Sequence, residues 1–268
     1  MKVSFIGGGV MGEAMIRALI RHNIGPGAIQ VGEIDPERVK FLSETYEVRC
    51  FSNNVEAIVG SEVVILSVKP SSLTEVASEV RGKLDPGQLL LSIIAGASLK
   101  TLQESTGHQA VVRAMPNTPA QIGEGMTVWT ASPAVGENQR RLARAILTTL
   151  GKEIYVEDEK HLDMATALSG SGPAYFFLFL EALTDAGVCV GLPREIAREL
   201  ALQTGYGAMR LCRESGKSPA ELRNMVTSPG GTTAAALLQL EEAGFRGVVA
   251  RAVMAAYEKS KLLGQGAG

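Results

Sequence analysis

Lys2-Val3-Ser4-Phe5-Ile6 is a short apolar run that stops on Gly7-Gly8-Gly9-Val10-Met11-Gly12, and an amphipathic segment with Ala14, Met15, Ala18 and Leu19 on one side follows. Strand, glycine turn and helix in that order give G-x-G-x-x-G the context that turns a weak pattern into a dinucleotide-binding fingerprint. Gly7 permits the tight turn, Gly9 lets the backbone approach a pyrophosphate at the helix N-terminus, and Gly12 lets helix and strand pack closely. The bland alternative is a flexible glycine loop, and the agreement of strand, spacing and helix speaks against it.

Working outward, apolar runs at Ile29–Val31, Val48–Phe51, Val63–Val68, Leu89–Ile94 and Val111–Ala114 alternate with segments of helical period at Met11–Arg21, Pro36–Thr45, Ser72–Val80 and Leu99–Glu104. This alternation predicts parallel βαβ units, hence an α/β fold: an N-terminal Rossmann doubly wound sheet over residues 1–157. After Glu157 the strand signal fades. Alanine- and leucine-rich segments take over, with Pro173 and Pro193 where helices would start and a capping box at Ser218-Pro219-Ala220-Glu221. Residues 158–268 are expected to form an all-α C-terminal domain. Tyr175-Phe176-Phe177-Leu178-Phe179-Leu180 puts apolar groups all round one of its helices, which therefore needs partners on every side, and the expected partner is the same helix of a second copy.

Composition narrows the class. With 28 acidic and 26 basic residues and no block of like charge, no nucleic-acid or membrane partner is expected, and the ligand should be small. Three cysteines (Cys50, Cys189, Cys212) and three histidines (His22, His108, His161) at irregular spacing suggest neither a disulfide framework nor a metal site. The most apolar run, Gly172–Leu180, is roughly half of the ~20 residues that a membrane span needs. The chain enters a strand pattern at once, so the cytoplasm is the expected location.

The ligand edge of such a sheet lies at the carboxyl ends of its strands. There stand Glu33 and Asp35, about 20 residues past the last glycine, where a carboxylate grips the adenosine ribose. No arginine follows before Arg38, so the acidic strand end leans to NADH over NADPH. Ser67-Val68-Lys69-Pro70 and Ile94-Ala95-Gly96 are expected to border the ribose and nicotinamide, although a solvated amine is an equally good account of Lys69. Between Ser169 and Leu192 there is no lysine, arginine or histidine. A site without a strong base disfavours alcohol oxidation and suits reduction of a C=N bond, because a protonated imine accepts hydride at carbon and becomes a neutral amine. Two clusters offer orienting groups: Ser169-Gly170-Ser171-Gly172, and Thr227-Ser228-Pro229-Gly230-Gly231-Thr232-Thr233, whose glycines would expose N–H groups at a helix start suited to a carboxylate. Ordinary helix caps would read the same way.

Together with Met115-Pro116-Asn117-Thr118-Pro119 and Gly191-Leu192-Pro193, these motifs resemble the pyrroline-5-carboxylate reductases over nearly the whole chain. The resemblance implies reduction of Δ1-pyrroline-5-carboxylate to L-proline by NADPH or NADH, in a homodimer whose helical domains interlock, sometimes assembled further into a decamer. It implies cofactor contacts from Ile6 through Gly12 and from Asn54, Ser67, Val68, Lys69, Pro70, Ala95 and Gly96. It further implies a substrate carboxylate on the Thr232 and Thr233 amides within the Ser228, Gly230 and Gly231 turn, the Thr233 hydroxyl near the ring nitrogen as the catalytic group, and Ser169 and Glu159 beside the substrate. Two departures stand out. Members that prefer NADPH often carry serine, asparagine or arginine where this chain has Glu33, Ile34 and Asp35, and Met225 replaces an asparagine that touches cofactor in some relatives. A two-domain 3-hydroxyacid dehydrogenase and a dinucleotide sensor without turnover are the competing readings.

Overall fold

The computed structural model describes residues 1–265, so the last three residues of the expected helical half lie outside the described residues. The chain divides into two compact units, Met1–Ser171 together with the chain from Ala255 on, and Gly172–Met254.

The first unit holds β1 (Val3–Ile6), α1 (Val10–Arg21), β2 (Ile29–Gly32), α2 (Pro36–Tyr46), β3 (Arg49–Phe51), α3 (Asn54–Ala57), β4 (Val63–Leu66), α4 (Leu73–Val80), β5 (Leu89–Ser92), α5 (Leu99–Thr106), β6 (Val111–Met115), β7 (Gly125–Ala131), α6 (Glu137–Thr148), β8 (Gly151–Tyr155) and α7 (Lys160–Ala165). The strands form one sheet in the order β3-β2-β1-β4-β5-β6-β7-β8. The first six are parallel, as the alternation predicts; β7 runs antiparallel to β6 and parallel to β8.

These last two strands are absent from the sequence reading, for physical reasons. β8 is an edge strand that exposes Lys152 and Ile154, and β7 buries Thr127 and Thr130 among its apolar residues, so neither shows a clean apolar run. Two expected strands are also shorter than their apolar stretches. β4 ends at Leu66, where the Ser67 hydroxyl turns back to donate to the Gly7 carbonyl at 2.7 Å, and β5 ends at Ser92, before the turn at Gly96.

Side chains of the central strands alternate between two cores, as the strand period requires. Val63, Ile65, Leu89 and Leu91 pack with Met15, Leu19, Leu42 and Ile146 from α1, α2 and α6. Val64, Leu66 and Leu90 pack with Leu73, Val76, Val80 and Leu102 from α4 and α5. A sheet buried on both faces is what continuous apolar runs such as Val63–Leu66 specify.

The second unit holds α8 (Gly172–Cys189), α9 (Arg194–Ser215), α10 (Pro219–Met225) and α11 (Thr232–Glu242), and shares α12 (Phe245–Gln265) with the first. The capping box forms: Ser218 Oγ accepts from Glu221 N while Glu221 accepts from Ser218 N, with Pro219 in the first turn. In α8 only Gly172 and Thr184 are buried, whereas Phe176, Phe177 and Leu178 are each at least 60% exposed in the single chain. A run of large exposed apolar side chains of this kind marks an interaction surface.

Candidate active site

Ile6, Gly32, Leu66 and Ser92, the last residues of β1, β2, β4 and β5, are successive partners across the sheet. The segments that follow them therefore emerge along one edge, with β1 and β4 at the point where the strand order reverses. That brings together Gly7–Gly12, Glu33–Asp35, Ser67–Pro70 and Ala95–Gly96.

The three fingerprint glycines differ in what requires them. Gly7 has φ +96°, and a Cβ there would meet Val68 Cγ1 at 2.8 Å and the Ser67 carbonyl oxygen at 2.9 Å. A Cβ on Gly12 would lie 2.6 Å from the Gly7 carbonyl oxygen. Gly9 has an ordinary extended backbone and nothing within 4 Å of the place a Cβ would take. It forms the start of α1, which has no side-chain cap. Val10 beside it is exposed and Met11 is half-buried against the core. Open space at an uncapped helix N-terminus is the shape and polarity that a pyrophosphate fits.

Glu33 folds back on this loop. Its Oε2 accepts from Gly8 N at 2.8 Å, and its Oε1 accepts from Ile34 N at 2.8 Å and Asp35 N at 3.0 Å. Asp35 caps α2, accepting from Glu37 N at 3.0 Å. Asn54, in the first turn of α3, is buried, and its Nδ2 donates to Glu79 Oε2 at 2.7 Å; its Oδ1 faces Gly32, where no Cβ would fit. Lys69 and Pro70 are exposed at the start of a 3-10 turn. Gly96 takes φ +79° in the turn after β5.

Arg38 and Glu13 join the same cluster, with no part assigned to them by sequence. The Arg38 guanidinium pairs with the Glu13 carboxylate, and Tyr46 OH donates to Glu13 Oε1 at 2.7 Å. Burial by itself would raise the Glu13 carboxyl; the hydrogen bonds from Arg38 and Tyr46 outweigh it and hold the group below the usual carboxylate range. Burial and the bond to Glu13 push the Tyr46 phenol up, so it remains a donor.

Glu159 and Ser169 sit elsewhere in the first unit. Glu159 Oε1 accepts from Leu99 N and from Arg113 Nη1, both at 2.8 Å. Arg113 is 6% exposed at its side chain and also donates to Asp163 Oδ1 at 2.9 Å, which takes a bond from Ser260 as well. The signal for this network was present in sequence: Arg113 is the only charge in the apolar run Val111–Met115, and a charge buried in a strand needs a partner. Ser169 lies in a π-helical turn, Thr166–Gly170, a feature frequent at functional sites. Its hydroxyl donates to the Ala165 carbonyl at 2.9 Å, and its own carbonyl accepts from Asn117 Nδ2 at 3.0 Å, while Asn117 Oδ1 accepts from Met126 N. Asn117 thereby ties the segment after β6 to that turn.

In the second unit, Gly230 takes φ +69° and Gly231 begins α11. A Cβ on Gly231 would crowd Ser228 Oγ at 2.5 Å, and Gly231 N donates to the Ser228 carbonyl at 3.1 Å. The turn therefore delivers the Thr232 and Thr233 amides to the first turn of a helix that has no side-chain cap. Among the described residues no cluster of three or more histidine, cysteine, aspartate or glutamate side chains is arranged to hold a metal, and no helix is long and apolar enough to cross a membrane.

Two family models match the chain: pyrroline-5-carboxylate reductase dimerisation over residues 159–263, and NADP oxidoreductase, coenzyme F420-dependent, over residues 2–96. A pyrroline-5-carboxylate reductase of Synechocystis sp. is 44% identical over 99% of both chains, and one of Pisum sativum is 40% identical over 97% of this chain and 95% of its own. Among solved structures, a pyrroline-5-carboxylate reductase of Coxiella burnetii superposes with a TM-score of 0.90 at 35% identity. A pyrroline carboxylate reductase of Plasmodium falciparum with NADP bound gives 0.90 at 33%, and each of these pairs is covered to 98% on both sides.

Proposed function

We infer how this site works from one premise: the chain belongs to the pyrroline-5-carboxylate reductase family. It is an NAD(P)H-dependent oxidoreductase that reduces the C=N bond of Δ1-pyrroline-5-carboxylate to give L-proline, the last step of proline biosynthesis. The glycine loop is the observation that carries the reading, because it leaves space for a ligand only at Gly9 while Gly7 and Gly12 are closed by contacts within the chain.

When bound, the nicotinamide supplies hydride. In our assignment Ile6, Gly7, Gly8, Gly9, Val10, Met11 and Gly12 cradle the pyrophosphate, and Glu33 and Asp35 accept from the adenosine ribose. Asn54, Ser67, Val68, Lys69, Pro70, Ala95 and Gly96 line the remainder of the cofactor. Each acid retains acceptor capacity beyond its bonds to backbone amides. Two carboxylates at this position repel a 2'-phosphate, which supports NADH over NADPH.

The Thr232 and Thr233 amides, with Ser228, Gly230 and Gly231 shaping their turn, hold the substrate carboxylate at the positive end of α11. The Thr233 hydroxyl bonds the ring nitrogen and orients the imine. No strong base is needed, since hydride addition to a protonated imine yields a neutral amine. Ser169 borders the substrate from its π-helical turn. Glu159 spends Oε1 on Arg113 and Leu99, so Oε2 is the atom left to meet substrate.

The chain forms a homo-oligomer. We assign residues 1–157 to cofactor binding and 158–268 to substrate binding and dimerisation, and propose a cytoplasmic homodimer joined through the helical domain; a decamer would be built from such dimers. The exposed aromatic run of α8 supports the dimer. Steady-state reduction of Δ1-pyrroline-5-carboxylate, followed by cofactor absorbance with NADH and NADPH in parallel at matched concentration, tests the reading. Turnover with the lower KM for NADH is the expected result; absence of turnover with either would reinstate the dehydrogenase and sensor alternatives.

A further inference from the structure

Gly8 is buried between β1 and α1, yet neither of its backbone polar groups is paired within a strand or helix. Its N–H donates to Glu33 Oε2 at 2.8 Å, and its carbonyl accepts from Arg38 Nε at 2.5 Å. A buried backbone group left without a partner is costly, so two side chains from beyond the end of β2 fix the conformation of the residue that precedes Gly9. Arg38 is fixed in turn. Its Nη2 pairs with Glu13 on the first turn of α1, Tyr46 holds the other oxygen of Glu13, and the guanidinium carbon lies 4.9 Å from the centre of the Phe41 ring.

This cluster meets the loop at two adjacent residues: Arg38 reaches the Gly8 carbonyl, and Glu13 N donates to the Gly9 carbonyl at 2.8 Å in the first bond of α1. Glu13 also places a carboxylate on the first turn of the helix assigned to the pyrophosphate, where its negative charge would oppose the ligand unless neutralised. Arg38 is its neutralising partner. We propose that Arg38, held by Glu13 and Tyr46, is a positioning residue for the dinucleotide: it presets the glycine loop in the shape that receives the pyrophosphate and cancels the Glu13 charge beside it. The inference rests on the cofactor site assigned above. Its consequence is that both dinucleotides depend on Arg38 equally, because they share the pyrophosphate and differ only at the 2' position.

The test is direct titration of NADH and NADPH, without imine, into wild type, Arg38→Gln, Arg38→Lys and Tyr46→Phe. A charge-assisted hydrogen bond contributes enough that Arg38→Gln should raise both dissociation constants about tenfold, equivalent to 1.4 kcal/mol. The KM for the imine and the kcat at saturating cofactor should stay within about twofold of wild type. Arg38→Lys keeps the charge but lacks the planar fork that serves Gly8 and Glu13 at once, so it should not restore binding. Tyr46→Phe removes one bond to Glu13 and leaves the packing intact; about a threefold loss for both cofactors is expected, the lower part of the range for one hydrogen bond. Full rescue by lysine would reduce the role to charge alone and overturn the proposal. A loss confined to NADPH would make Arg38 a phosphate ligand and overturn it too, as would a fall in Tm with both dissociation constants unchanged. Binding of neither dinucleotide by wild type would remove the cofactor site itself, whereas normal wild-type binding with unaltered variants would remove only the inference.

Discussion

Replacing Gly9 and Gly12 in turn by alanine makes the same chemical change twice and should give opposite results. At Gly12 the new Cβ lies 2.6 Å from the Gly7 carbonyl oxygen and 3.1 Å from Ser67 Oγ. The first neighbour is backbone of the loop itself, so α1 or the loop must shift. Forcing a methyl into a packed contact costs roughly 1–3 kcal/mol, and in a domain of this size each kcal/mol lowers Tm by about 2–4 °C. At Gly9 there is nothing within 4 Å and the backbone is extended, with φ −65° and ψ −174°. Alanine is a poorer helix cap than glycine by up to about 1 kcal/mol, but the substitution also restrains the unfolded chain, a gain of about 0.4–1 kcal/mol. The two nearly cancel, and Gly9→Ala should melt within a degree or two of wild type. Cofactor affinity should separate the variants the other way. If the space beside Gly9 receives the pyrophosphate, a methyl there meets it at closest approach, and the same 1–3 kcal/mol appears as a roughly 5- to 150-fold weaker dissociation constant. Thermal unfolding by circular dichroism and fluorescence titration with NADH read the two quantities independently. Unaltered cofactor binding in a stable Gly9→Ala protein would refute the cradle, and an unaltered Tm in Gly12→Ala would refute the packing argument.

Four further outcomes follow from the same geometry. Thr233→Val should lower kcat on the imine and leave the NADH dissociation constant within about twofold, since a group that acts on the reacting atoms affects turnover and not cofactor affinity; steady-state kinetics with a parallel titration decides it. Arg113→Met leaves Glu159 and Asp163 facing each other without their cation, and because those carboxylates remain 29% and 23% exposed, the loss in urea unfolding should fall toward the lower end of the about 3–5 kcal/mol for a broken buried pair. Glu13 is held below its ordinary value of 4.5, so its contribution to stability is complete above that pH and is lost only as pH falls through the lowered value; the stability gap between wild type and Glu13→Gln should be constant from neutral pH to about pH 5 and close in stronger acid. Light scattering at micromolar concentration should give at least twice the chain mass of 28.3 kDa, and a monomer would leave the exposed face of α8 without explanation.

How much of this was legible in the sequence depended on whether the physical demand fell on single residues or on pairs. Gly7 and Gly12 are demands on single residues, a positive φ and a 2.6 Å approach, and glycine alone meets them, so the fingerprint could be read directly. β1, β2, β4, β5 and β6 are buried along nearly their whole length and announce themselves as apolar runs. The edge strand β3, exposed at Arg49 and half-buried at Cys50 and Phe51, still lies within the apolar stretch Val48–Phe51. β7 and β8 show no such run, because one carries two buried threonines and the other is an edge. The helical half was marked by Pro173, Pro193 and the Ser218 box, features that act within one helical turn. Partnerships escaped: Arg113 with Glu159, 46 positions apart, Arg38 with Gly8, 30 apart, and Asn54 with Glu79, 25 apart. In each of them one member has an unremarkable sequence neighbourhood, and only the fold brings it to the other.

The helix starts carry a related argument about function. α2, α3, α5 and α10 begin with Asp35, Asn53, Ser98 and Ser218, each accepting from amides of the first turn. α1 and α11 begin with Gly9 and Gly231 and receive no such bond. α6 also starts at a glycine, Gly136, but there the Gln139 side chain reaches back to accept from Gly136 N. α4 and α9 also receive no side-chain cap, behind Ser72 and Pro193, and the Gln139 bond at α6 serves the Gly136 amide and not those of the first turn. A missing cap therefore does not by itself mark a ligand site; at α1 and α11 it coincides with a glycine that leaves the first-turn amides to water or to an anion from outside. α1 and α11 are the helices to which the proposed function assigns an anionic ligand group, the pyrophosphate of the cofactor and the carboxylate of the imino acid. A single test joins them. Gly9→Ser and Gly231→Ser would each offer the helix a side-chain oxygen of its own, and the first should weaken NADH alone and the second the imine alone. At Gly231 the added Cβ would also press on Ser228 Oγ, so a loss of imine affinity there counts for the carboxylate site only if NADH affinity and Tm hold. Loss of both ligands in either variant would mean that the glycines serve the fold and that the missing caps say nothing about ligands.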